Sequence, residues 1–170
     1  MNNYINVRPM HAHEAEQVAA LLHEVIASLD IYVEAARATE IEIYTPAYIR
    51  ELSMRDADGV LIAEEADVIV GFCISYADDG PYWLAWFGAR LGYTGRGIGS
   101  ALLADMHTRR QAAGIHKIWC DSRTDNHASR ACLARAGYRT ICILEDHWFR
   151  QDYMLFERIL KVPQSQSPNI

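Results

Sequence analysis

The chain has 170 residues, 51% of them apolar, and a net charge of −6 from 16 Lys and Arg against 22 Asp and Glu. That length suits one domain with a real core, expected over residues 1–162, and no apolar run approaches the roughly 18 residues of a membrane span. The acidic balance speaks against a nucleic-acid surface, which needs a basic stripe, and suits a neutral or cationic partner; with no basic, apolar leader, the expected location is the cytoplasm.

Ile5 and Val7 alternate with polar neighbours and predict a short first strand. From Ala15, the residues Val18, Leu21, Leu22, Val25, Ile26 and Leu29 recur at helical spacing, the clearest amphipathic helix in the chain. Residues 30–44 are acidic and aromatic without a firm period and read as a connection. Thr45-Pro46 has the form of an N-cap with proline in the first turn, opening a second helix through Ile49 and Leu52. Three strand-like runs follow, Val60 to Glu64, Val68 to Tyr76 and Tyr82 to Ala89, with Asp78 and Asp79 in a hairpin link. Ile98, Leu102 and Met106 predict a helix ending at Gly114, and Lys117 to Ser122 a strand. A short helix from about His127 to Ala136 stops at Gly137. Strands Tyr138 to Leu144 and Tyr153 to Leu160 then flank a His147-Trp148-Phe149 turn. The tail over residues 163–170 has nothing to bury and is expected to be mobile. The order β-α-α-β-β-β-α-β-α-β-β predicts an α/β fold, a mixed sheet with helices on both faces.

The most informative stretch is Thr94-Gly95-Arg96-Gly97-Ile98-Gly99-Ser100, set between a strand and a helix. Glycines at such a junction let backbone N–H groups approach a ligand, and the helix N-terminus favours an anion. A phosphate-bearing ligand is therefore expected. No Lys closes the loop as a Walker motif requires. Ser100 or Leu102 falls where a dinucleotide fingerprint needs its last Gly or Ala, so that template fails too.

With Asn126 lying 27 residues beyond Gly99, and Gly137-Tyr138 after the next helix, this loop resembles the signature of the GCN5-related N-acetyltransferases. The resemblance covers about residues 4 to 160. It implies a mostly antiparallel sheet of about seven strands, acetyl-CoA as co-substrate, and N-acetyl transfer to a primary amine on a small molecule or a protein. It also implies pyrophosphate binding at Thr94, Gly95, Arg96, Gly97, Ile98, Gly99 and Ser100. The pantetheine arm would run along Phe87, Gly88 and Ala89 and touch Asn126. Homodimers are common among such relatives, so a homodimer stands as an open expectation.

Two positions depart from the family pattern. Thr94 replaces the usual Gln or Arg, so Arg96 is expected to supply more of the attraction for phosphate. Leu133 occupies the place where the family often has the tyrosine that protonates the leaving thiolate, and leucine donates nothing. Tyr93 and Tyr138 remain as weak candidates for the acid. Asp121 matches a general base of one family branch; its alternative is a strand-end carboxylate capping the Asn loop. Glu34, Trp86 and Trp148 are the acceptor-site candidates, with Glu40 and Glu42 sharing the role of attracting a cationic amine. The rival reading is a non-catalytic acyl-CoA sensor. No metal site is expected. The cysteines Cys73, Cys120, Cys132 and Cys142 read as buried reduced thiols, and His107, His116 and His127 as solvent-facing.

Overall fold

The computed structural model describes residues 5–78 and 80–161. Asp79 and the 163–170 tail lie outside these described residues. Seven strands form one sheet in the order β1-β2-β3-β4-β5-β7-β6. They are β1 Asn6–Pro9, β2 Val60–Glu65, β3 Val68–Ala77, β4 Tyr82–Ala89, β5 Lys117–Arg123, β6 Arg139–Leu144 and β7 Tyr153–Ile159. Every neighbouring pair is antiparallel except β4 and β5, which are parallel.

Alternation along the strands sends side chains to two separate cores. Leu61, Ala63 and Val70 pack with α4 (Ile98–Ala112) and α5 (His127–Arg135). Val60, Ile62, Phe72 and Ile74 pack with α1 (Ala15–Ala27) and α3 (Pro46–Arg55). Helices therefore cover both faces, as the pattern requires. Thr45 caps α3 by accepting a hydrogen bond from the Tyr48 amide at 3.2 Å.

Three readings need correction. Residues 34–43 are not a plain connection but a helix, α2 Glu34–Ile43, of which only Ala36 is buried, so its sequence shows no clear apolar stripe. His107 is not solvent-facing; it is buried on α4 with Nε2 3.0 Å from the Tyr138 hydroxyl. Cys142 is exposed on the edge strand β6, while Cys73, Cys120 and Cys132 are buried. Among the described residues no helix is long and apolar enough to cross a membrane.

The sheet opens at one place. β4 pairs with β5 only at Tyr82 and Trp83, opposite Ile118 and Trp119. A bulge sits beside this point, since Ser75 and Ile74 of β3 face Leu84 and Trp86, leaving Ala85 unmatched. The bulge bends β4, and beyond it the two strands diverge. The backbone of residues 84–89 thus has β3 on one side and a gap on the other.

Candidate functional site

A cavity of about 1000 Å³ occupies this gap and is lined from both faces of the sheet. On the α4–α5 face its wall is Thr94, Gly95, Gly97, Ile98, Gly99, Ser100, Asn126 and Cys132. On the α1–α2 face it is Tyr32, Glu40, Tyr44, Tyr48, Tyr76 and Trp86. Phe87, Gly88, Ala89 and Asp121 lie along the gap, and His147, Trp148 and Tyr153 close it from the β6–β7 side.

The glycine loop owes its shape to backbone conformations that L side chains rarely adopt. Gly95 has φ +78° and Gly97, the N-cap of α4, has φ +82°. The first amide of α4 to find a partner four residues back is that of Ala101, bonded to the Gly97 carbonyl at 2.9 Å. The amides of Ile98, Gly99 and Ser100 come before it and are free to hold an anion. Gly71 on β3 is what lets this helix start so close to the sheet. A Cβ there would stand 2.5 Å from Ile98 Cγ2.

Of the residues expected to bind the co-substrate, all but Arg96 line the cavity. The Arg96 guanidinium instead pairs with Glu65 at 2.5 Å and lies 4.8 Å from the Tyr93 ring centroid. The Asn126 side chain caps α5, accepting from the Ser129 amide at 3.1 Å.

Asp121 lines the opening on β5, and burial pushes its carboxyl up to about 6, with His147 acting in the opposite direction. Glu40 of α2 faces the same space. Its carboxylate accepts from Trp86 Nε1 at 2.6 Å, and burial, with Asp121 adding to it, raises its pKa. Tyr32 sits with its ring 6.1 Å from that of Trp86. Burial first, and then the nearby Asp121 charge, push its hydroxyl up to about 12, with the Asn126 side chain acting in the opposite direction.

Several candidates fall elsewhere. Tyr138 is held in the core against His107 and is not part of the cavity wall. Leu133 is fully buried in the α4–α5 core. Glu34 is exposed at the first turn of α2 and outside the wall, as is Glu42; Glu40 is the member of that acidic segment that reaches the cavity. Tyr93, Trp86 and Trp148 do line it. Tyr32, Tyr153 and Ser122 also line it, with no site role assigned to them from the sequence. Tyr32 lay within the acidic aromatic stretch, which was a usable signal, but the other two look like ordinary strand residues. No cluster of metal-ligating groups occurs among the described residues.

The sequence matches the model of the acetyltransferase (GNAT) family over residues 27–138. The chain belongs to that family. No curated protein matches closely enough to count as a relative. Solved structures resemble its fold along nearly their whole length. A GNAT-family acetyltransferase from Streptococcus pneumoniae is 18% identical with a TM-score of 0.79, over 93% of this chain and 100% of that one. The paia N-acetyltransferase of Thermoplasma acidophilum, in complex with coenzyme A, is 18% identical with a TM-score of 0.76, over 92% and 99%. The yncA protein of Salmonella typhimurium, with its cofactor acetyl-CoA, is 15% identical with a TM-score of 0.72, over 98% and 99%. At such identities these likenesses speak to the GNAT fold; the family match carries acetyl transfer as the general chemistry.

Proposed function

We propose that this GNAT chain moves the acetyl group of acetyl-CoA to a primary amine that reaches the thioester through the gap between β4 and β5. The observation that carries this reading is the pairing of an anion-ready helix N-terminus on one face of the gap with the half-buried Asp121 carboxyl that lines the same gap.

The residues fit such a co-substrate. Gly95, Gly97, Gly99 and Ser100 offer backbone donors to the pyrophosphate, and the unpaired edge of β4 from Phe87 to Ala89 offers a strand-like track to the pantetheine amides. When bound, the thioester supplies an activated acetyl carbon and a thiolate that can leave. Asp121 takes a proton from the incoming ammonium, a task suited to a carboxyl raised to about 6. Backbone amides of β4 that face the gap stabilise the oxyanion as the amine nitrogen bonds to the carbonyl carbon. Tyr32 stands in for the tyrosine that Leu133 lacks. Its raised pKa keeps it protonated at neutral pH, so it gives that proton to the sulfur as the carbon–sulfur bond breaks and regains one from the second N–H of the attacking nitrogen as the amide forms.

The test is release of free coenzyme A thiol from acetyl-CoA across a panel of amines, with the acetylated product identified by mass. Amine-dependent release is expected. Tight acetyl-CoA binding without turnover on any amine would replace the catalytic reading with that of a cofactor sensor.

A further inference from the structure

The wall on the α1–α2 side has an unusual balance of charge. Two carboxylates, Glu40 and Asp121, face it, yet the only Lys or Arg among the described lining residues is Arg135, on α5 and so on the opposite face. Between and around the carboxylates stand the rings of Tyr32, Tyr76, Trp86 and Tyr153. Glu40 is not a loose surface acid. The Trp86 indole holds it at 2.6 Å, and Trp86 itself is anchored on the bent strand β4.

One further feature points to a polar ligand on this side. Tyr153 is 4% exposed, lines the cavity, and its hydroxyl is buried without a hydrogen-bond partner. A buried hydroxyl without a partner costs free energy that a polar ligand would recover.

We infer that the acceptor is a small dication, an amine bearing a second, non-reacting ammonium that Glu40 and the rings of Trp86 and Tyr32 hold while Asp121 serves the amine that attacks. This rests on the acetyl-transfer reading and names its substrate class. One carboxylate is enough to deprotonate a nucleophile. The second, fixed among π faces, is the arrangement that binds an ammonium and keeps it charged. An occupant of charge +2 meets the two carboxylates and relieves their mutual repulsion. Transfer then converts one ammonium to a neutral amide, with one of its protons left on Asp121 and the other passed by way of Tyr32 to the departing thiolate, so the product matches the pocket less well and departs. The absence of a Lys or Arg on this wall also disfavours acceptors that carry a carboxylate close to the amine.

The probes are diaminobutane and butylamine, which share a carbon chain and differ by the second ammonium. For the wild-type protein, kcat/KM for the diamine is expected to exceed that for butylamine by roughly tenfold or more. Glu40→Gln keeps an acceptor for the Trp86 indole and removes the charge. It is expected to collapse that ratio toward unity, by raising KM for the diamine more than for butylamine, with acetyl-CoA affinity retained. Retained acetyl-CoA binding also shows that the variant is folded. A ratio near unity in the wild type, or a preference that survives Glu40→Gln, overturns the inference while leaving acetyl transfer intact. Failure of every amine to accept the acetyl group overturns both.

Discussion

Asp121 carries the sharpest conflict between stability and function in this molecule. Its folded pKa of about 6 lies above the ordinary aspartate value of 3.8, because burial disfavours the charged form. The folded state therefore holds more protons than the unfolded chain between these values, and stability falls as pH rises through that window. Above about pH 6 the full penalty is present. Asp121→Asn should then raise Tm at pH 7 by a few degrees, on the order of 2 kcal/mol, while lowering kcat by about 100-fold or more. Thermal melts at neutral pH and near pH 4 check the first half, since the gain should shrink as acid neutralises the wild-type carboxyl. Tyr32 gives a second test of roles. Tyr32→Phe keeps the ring beside Trp86 and removes the proton, so kcat should fall by about tenfold or more with KM for acetyl-CoA unchanged. A rise in that KM with kcat intact would mark Tyr32 as a binding residue instead.

At the scale of elements, the cofactor end depends on how α4 begins. Gly97 sits at φ +82° with open space where a Cβ would point, so Gly97→Ala strains the backbone without a clash. That should cost about 1 kcal/mol in unfolding free energy and raise KM for acetyl-CoA, measured by denaturant titration and initial rates. Gly71→Ala acts from the neighbouring strand. A Cβ 2.5 Å from Ile98 Cγ2 would push the first turn of α4 away, predicting the same rise in KM with a larger loss of stability. The glycine loop was legible in the sequence because positive φ leaves a residue-type signature. The strands and α1 were legible because their apolar periods are strong. The acceptor side was not. Helix α2 buries only Ala36 and so hides its period, and the packing that selects Glu40 over Glu34 is set by Trp86, far away in sequence. Tyr138, a weak candidate for the acid, shows the same limit from the other direction, and Leu133 fills the core as an apolar residue should. The spacing of Tyr138 relative to Asn126 is right, but the fold turns it into the core.

For the molecule as a whole, the two cores and the gap between β4 and β5 divide the work. The α4–α5 side offers free amides to an anion, and the α1–α2 side offers carboxylates and aromatic rings to a cation. Burial of the α4–α5 core also fixes how the fold responds to acid. His107, buried there beside Tyr138, is pushed down to about 3, chiefly by desolvation and then by Arg158. Its folded pKa lies below the ordinary histidine value of 6.5, so the unfolded chain takes up more protons in between. The stability it protects is complete above about pH 6.5 and is lost as pH falls toward 3. His107→Phe removes this titration. The stability difference between wild type and variant should shift by on the order of 2 kcal/mol between about pH 7.5 and pH 4.5, against the wild type in acid. The passage of an amine across the gap to Asp121 is tested most directly by the pH dependence of kcat at saturating amine, for wild type and Asp121→Asn. The expected wild-type profile rises through an apparent pKa near 6 and levels off, and the variant is slower by about 100-fold with that limb gone. A variant that keeps the wild-type rate and the same rising limb would contradict it.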